Sequence, residues 1–241
     1  MPKAKYDEIY RDIKKQIEDE YYPYGTQLPS ENDFAQLFNC SRNTIRRALS
    51  MLVTDGYVQA VHGRGVDVIY QAPGRTSFTV GGIESFKETA LRNKLSIKTK
   101  VIECHSIVID KKLAKTTGFA EGNEAYLVRR VRYLDTKPLI MDTNIFLSSI
   151  VPALTEEIAS KSIYDYIENE LGMQITTSKR TITVEHATAL DKRYLDLGSY
   201  DCMAVITSQT FNRDGIMFEY TVSRHHPEYF CFQNTATRRK S

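Results

Sequence analysis

The sequence predicts an α+β protein in two parts: a small helical part closed by a β-hairpin, and a larger mixed part organised on an antiparallel sheet. Three observations carry that expectation. Between residues 6 and 53, apolar side chains recur at spacings of three and four, the period of a helix that buries one face. From residue 98 onward, six runs favour extended backbone, and the last two are joined by the hairpin turn Arg213-Asp214-Gly215. The length of 241 residues exceeds what a single core usually holds, so two domains fit better than one. A composition of 41% hydrophobic and 26% charged residues excludes a mostly disordered or fibrous chain.

The first helix carries Tyr6, Ile9, Tyr10, Ile13 and Ile17 on one stripe and Asp7, Arg11, Lys14 and Glu18 elsewhere, ending near Tyr22-Pro23. In Leu28-Pro29-Ser30-Glu31-Asn32-Asp33, Ser30 reads as an N-cap and Asp33 sits at the capping-box position. Phe34, Ala35 and Phe38 form the buried side of that second helix. Asn39-Cys40-Ser41 makes a short break, and Ser41 caps a third helix with an apolar stripe of Ile45, Ala48, Leu49, Leu52 and Val53. Gly56 supplies its stop. Residues 57–61 and 66–70 are β-type runs around His62-Gly63-Arg64-Gly65, whose glycines permit a tight hairpin with an arginine at its tip.

The exposed positions of the third helix are Arg42, Asn43, Thr44, Arg46, Arg47 and Ser50, with no acid before Asp55. A short helix, a tight break and a second helix with a basic N-terminal face describe a helix-turn-helix, and the arginine at the hairpin tip suits the adjacent minor groove. The whole-chain charge of +2 hides the arrangement. Residues 7–33 hold three bases and eight acids, net −5, whereas residues 39–66 hold four arginines against one acid, net +3. Positive charge is thus concentrated on the elements that would face DNA. Three arginines on a surface helix also fit a plain solvated face; the break, the cap and the glycine-rich hairpin are what favour DNA.

Leu28-Pro29-Ser30-Glu31, the run from Ser41 to Leu49, Gly56-Tyr57 and Gly63-Arg64-Gly65 together resemble the winged helix-turn-helix of GntR-type bacterial transcription regulators, over about residues 5–70. The resemblance implies operator contacts from Ser41, Arg42, Thr44 and Arg46, with Asn43 and Arg47 on the same helix and His62, Gly63 and Arg64 on the wing. One departure is Asn32, where the family often carries arginine; a phosphate contact there would be supplied elsewhere, as by Arg47.

Gln71-Ala72-Pro73-Gly74-Arg75 punctuates the chain, so the expected division is residues 1–70, a linker at 71–77, and residues 78–241. Strands are expected at 98–110, 126–134, 139–146, 174–184, 203–212 and 216–224, with helices at 85–94, 111–117, 162–171 and 191–197, an α+β domain. Three features suit an anion. Gly81-Gly82-Ile83 leads into a helix start near Glu84-Ser85, although Glu84 is a poor neighbour for a phosphate. Arg130 and Arg132 are two apart on a strand and share a face, either flanking an anion or standing solvated on an exposed sheet. Ser162-Ile163-Tyr164-Asp165 reads as a capping box, in which Ser162 either closes such a site or simply caps a helix.

Residues 78–86, Arg130-Val131-Arg132, the run from Lys161 to Glu168, and Phe218-Glu219-Tyr220 through His226 resemble the effector domain of the HutC subfamily of GntR regulators. That domain, also called UTRA, has a chorismate-lyase-like fold, and the similarity spans most of residues 78–236. It implies a sugar phosphate held by Ser85, Arg130, Arg132, Ser162 and Tyr164, with Asp142 and Glu219 on sugar hydroxyls and His225 close by. Asp142 stands where some aminosugar-phosphate sensors carry the longer glutamate, which implies a differently shaped pocket. Trehalose-responsive members of the subfamily imply trehalose 6-phosphate as inducer; an aminosugar phosphate is the alternative. A third reading, an enzyme on the lyase-like fold, finds no nucleophile and base together in the sequence.

Cys40, Cys104, Cys202 and Cys231 are dispersed and form no Cys-x-x-Cys, so neither a zinc site nor a disulfide framework is expected. Neighbours on a strand point to opposite faces, which argues against His225-His226 as a metal pair. No cofactor is expected. Without a leader or a long apolar run, the expected place is the cytoplasm. The expected partners are operator DNA and a second copy, since paired recognition helices match paired half-sites.

Overall fold

The computed structural model describes residues 5–71 and 96–232, which form two compact units. The linker beyond Gln71, the Gly81-Gly82-Ile83 segment, Ser85 and the expected helix at 85–94 lie outside the described residues.

In the first unit, α1 (Lys5–Glu18) buries Ile9, Ile13 and Ile17. Helix α2 (Glu31–Leu37) starts at a complete capping box: Ser30 Oγ accepts from Asp33 N, and Asp33 accepts from Ser30 N at 3.1 Å. Helix α3 (Arg42–Thr54) is capped by Ser41, whose hydroxyl accepts from Thr44 N at 3.2 Å. Phe34, Ile45, Ala48, Leu49 and Leu52 meet the α1 isoleucines in one core that β1 (Val58–Val61) and β2 (Gly65–Val68) close through Val58 and Val68. The expected strand at 57–61 begins one residue later, because Tyr57 is still bonded to the helix end through Leu52 O and turns its ring onto Tyr70, centroids 4.7 Å apart. Its hydroxyl donates to Glu18 at 2.6 Å, and burial followed by that carboxylate pushes its pKa well up.

One pairing has no sequence signal. Residues 25–28 lie along β2 as a short third strand, through Gly25 N to Val68 O, Val68 N to Thr26 O and Leu28 N to Val66 O. This anchors the hairpin to the loop that precedes α2.

The second unit is a six-stranded antiparallel sheet of β3 (Ile97–Val108), β4 (Glu124–Leu134), β5 (Lys137–Leu147), β6 (Ile175–His186), β7 (Cys202–Asn212) and β8 (Met217–His225), in the order β3-β4-β5-β8-β7-β6. Helix α4 (Lys111–Thr117) matches the expected span and ends on Gly118 in the left-handed region, φ 87°. Helix α5 (Glu156–Ser160), capped by Thr155, was not foreseen. The expected helix at 162–171 divides: α6 (Ile163–Asp165) passes into a π-helical turn at Tyr166–Glu170, in which the adjacent Tyr166 and Ile167 are both buried. The expected helix at 191–197 is corrected to α7 (Ala189–Tyr194). Asp191 is its capping-box acid, serving Thr188, rather than its first residue, and Leu195 and Leu197 follow in the core.

The two faces of this sheet are covered differently. Val128 and Phe146 meet Ala159, Ile163, Tyr166 and Ile167 from α5, α6 and the π turn on one face. On the other, Val131, Met141, Met203 and Val205 meet Leu195 and Leu197. Among the described residues no helix is long and apolar enough to cross a membrane.

Candidate functional site

The helix-turn-helix places Arg42, Asn43, Arg46 and Arg47 on the exposed surface of α3, with Thr44 half-buried. Two of these arginines are already organised. Arg46 forms a two-pronged contact with Glu31 of α2, Nε to Oε1 at 3.2 Å and Nη2 to Oε2 at 3.0 Å, and Arg42 Nη2 reaches the same Oε2 at 3.3 Å. The hydrogen bond from Arg46, with the charges of both arginines, holds the Glu31 carboxyl below its ordinary range. The sequence motif around Ser30 contains Glu31 but does not mark it as the partner of these arginines. Arg47 goes elsewhere: its guanidinium sits 3.7 Å from the centre of the Tyr6 ring of α1, a cation–π contact. Ser41 and Thr44 share a hydroxyl contact of 2.9 Å at the cap.

On the wing, His62, Gly63 and Arg64 are exposed, Gly63 has φ 73°, and Arg64 pairs with Asp67 at 3.2 Å. The Arg64 carbonyl accepts from Gln27 Nε2. Gly65 has φ 124°, a backbone angle that demands glycine; a Cβ there would also push aside the Gln27 amide.

In the second unit the solvated alternative for the arginine pair is overturned: Arg130 and Arg132 are 4% and 7% exposed. The sheet register explains why. Arg130 pairs with Asp142 on β5, and Asp142 pairs with Ser223 on β8, so side chains two apart on each strand build one polar face. Arg132 Nε donates to Asp142 Oδ2 at 2.8 Å and Nη1 donates to Thr99 at 2.8 Å, while Ser223 donates to Asp142 Oδ1 at 2.6 Å. Burial alone would raise the Asp142 pKa; the charges of Arg132 and Arg130 outweigh it and hold the carboxyl ionised.

Arg130 is placed differently. Its Nη2 donates to Asn144 Oδ1 at 2.8 Å and its Nη1 to the Ala159 carbonyl at 3.3 Å, both neutral oxygens. Its Nε is buried with no hydrogen-bond partner among the described residues. Burial and the neighbouring Arg132 lower its proton affinity, yet a guanidinium stays charged at neutral pH. Of the pair, Arg132 makes the ion pair with Asp142, and among the described residues Arg130 makes none, although the charges of Asp142 and Glu219 act on it.

Glu219 lies at the other end of the polar face. It accepts from Tyr164 at 2.6 Å and Thr221 at 2.7 Å, and from Asn144 at 3.2 Å. Burial, then this carboxylate, pushes the Tyr164 phenol well up. Asn144 links Glu219 to Arg130. Asn144, Thr99, Thr221 and Ser223 were missed by the sequence reading; the period-2 spacing of 142/144 and of 219/221/223/225 is the signal that finds Asn144, Thr221 and Ser223, whereas Thr99 lies on β3 and is brought in by pairing with Arg132. Ser162 caps α6: its hydroxyl accepts from Asp165 N at 3.2 Å. His225 is buried, its ring 5.2 Å from Phe230, and burial pulls its pKa down to about 4. His226 packs separately between Tyr200 and Tyr229.

A winged helix-turn-helix joined in one chain to a sheet with a buried, cation-bearing polar face defines a DNA-binding regulator with a sensing domain. The gntR family of bacterial regulatory proteins matches residues 5–68, and the UTRA domain matches residues 92–230. The transcriptional regulator TreR of Bacillus subtilis is 37% identical over the full length of both chains. The solved effector-binding domain of the B. subtilis trehalose repressor aligns with 59% of this chain and 99% of its own, at 36% identity and a TM-score of 0.54. The crystal structure of B. subtilis YydK covers 97% of this chain and 100% of its own, at 26% identity and a TM-score of 0.80. The chain belongs to the GntR family of transcriptional regulators, in the HutC-like branch with a UTRA domain. Its relatives are transcriptional regulators, not enzymes.

Proposed function

We propose that this protein represses a trehalose utilisation operon and is released from its operator by trehalose 6-phosphate. The observation that carries the effector class is the Arg130 guanidinium, buried, its Nε without a hydrogen-bond partner and its charge in no ion pair among the described residues, on the same sheet face as Asp142 and Glu219. Arginine suits phosphate oxygens and carboxylates suit sugar hydroxyls. The full-length likeness to TreR, and the solved trehalose repressor domain at 36% identity, support the sugar.

In this reading residues 1–70 bind DNA, 71–77 link, and 78–241 bind effector and pair two copies in the cytoplasm. Ser41, Arg42, Asn43, Thr44, Arg46 and Arg47 face the operator from α3, with His62, Gly63 and Arg64 on the wing. Ser85, Arg130, Arg132, Ser162 and Tyr164 hold the phosphate, Asp142 and Glu219 the hydroxyls, and His225 borders them. The ligand releases DNA by binding the DNA-incompetent form more tightly. A gel shift on DNA upstream of the protein's own operon, with and without trehalose 6-phosphate, tests this. Release by trehalose 6-phosphate is expected; release by an aminosugar phosphate alone would refute the sugar assignment.

A further inference from the structure

The polar face continues beyond the residues assigned to the effector. On β7, Ser208 pairs with Thr221 and Ile206 with Ser223; on β6, Arg180 pairs with Ser208 and Ile182 with Ile206. Ser208, Arg180 and Ile182 thus stand on the same face as Arg130, Asp142 and Ser223. Burial agrees: Ser178, Arg180 and Ile182 are half-buried, while the intervening Lys179, Thr181 and Thr183 are exposed. At about 4.8 Å per strand, Arg180 lies four strands from Arg130 across the sheet, about 19 Å. The floor between them is Asp142, Ser223 and Ser208, with Ile206 alongside. The Arg180 charge acts on the Tyr164 phenol, whose hydroxyl donates to Glu219 on this face.

We infer that the β6–β7 end of this face, Arg180 and Ser208 above Ile182 and Ile206, is a second subsite that holds the far ring of a disaccharide phosphate anchored on Arg130. A single hexose phosphate spans β4, β5 and β8 and leaves β7 and β6 uncovered. A second ring reaches Ser208 and Arg180, whose hydroxyl and guanidinium meet sugar hydroxyls, while the isoleucines take its apolar edge. The subsite therefore sets selectivity for ligand length. This rests on the effector reading above.

Calorimetric titration of the full-length protein with trehalose 6-phosphate and glucose 6-phosphate tests it. Wild type should prefer the disaccharide by about tenfold or more, the worth of one or two hydrogen bonds. Arg180→Gln and, independently, Ser208→Ala should reduce that preference while leaving glucose 6-phosphate binding unchanged; Ser208→Ala removes one hydroxyl and keeps the fold testable. Arg130→Ala should abolish binding of both. Equal weakening of both ligands by the β6 and β7 variants would overturn the subsite, as would a wild type without preference. A wild type that binds neither phosphate would instead refute the effector reading itself.

Discussion

Glu31 shows how one side chain couples the two helices of the turn. Its carboxylate holds Arg46 with two bonds and Arg42 with one, although the arginine side chains remain 61% and 59% exposed. An exposed pair of this kind is screened by water and contributes little to folding. Glu31→Gln should therefore leave the melting temperature nearly unchanged but raise affinity for scrambled duplex, because a negative charge leaves the DNA-facing surface and two arginines lose a fixed geometry. Fluorescence anisotropy on operator and scrambled DNA reads this as a smaller specificity ratio; an unchanged ratio would contradict the positioning role. Arg46→Ala should weaken operator binding with effector binding intact, and Arg130→Ala should leave operator binding intact but uninducible. Comparable loss of both functions in either variant would contradict the division of labour. The arginines were legible from helical spacing, but their tie to Glu31 was not: it joins residues 11 and 15 apart, and no local pattern marks it.

At the scale of elements, the strands were legible because each is a run of residues that favour extended backbone, and the last two are joined by a hairpin turn. Helix ends were legible where a cap announced them, as at Ser30 and Ser41. They were misread at 191, where the capping acid Asp191 is fully buried and also receives the Arg224 guanidinium, Nε to both oxygens at 2.9 and 3.1 Å. Arg224 reaches Glu185 at 2.6 Å and the His186 carbonyl at 2.8 Å as well, so this one side chain of β8 holds α7 and the end of β6. Asp191→Ala leaves a largely buried guanidinium without its main acid and removes the acid half of the α7 capping box, leaving the Thr188 hydroxyl to cap the helix alone. The expected loss is about 3–5 kcal/mol, measurable by urea unfolding. A loss under about 1 kcal/mol would mean that Glu185 alone neutralises Arg224.

For the whole molecule, stability should fall in mild acid through the second unit. His225 titrates near 6.5 when unfolded and near 4 when buried. The native state resists a proton that the unfolded chain accepts, so stability is lost as pH drops from about 6.5 to about 4 and the loss then levels off. At about 1.4 kcal/mol per pH unit the total is about 3 kcal/mol. Asp142, held below its ordinary value, adds its own loss only at still lower pH. His225→Gln should flatten the stability curve over the upper window; the same slope in the variant and wild type would contradict a buried neutral imidazole.

The sequence alone determined the two-part α+β organisation, the helix-turn-helix with its wing and the arginine pair, each written in local signals: helical and strand periods, caps, glycines at turns, and residues two apart on one strand. The regulator class rested on the resemblance of those motifs to a known family. Only the tertiary structure decided that Asp142 pairs with Arg132 while Arg130 donates to neutral oxygens, and that the polar face runs on to Arg180. Those facts depend on the register between β4, β5, β8, β7 and β6, strands as far apart in the chain as residues 130 and 219, and register is set by how the whole sheet pairs rather than by any one strand.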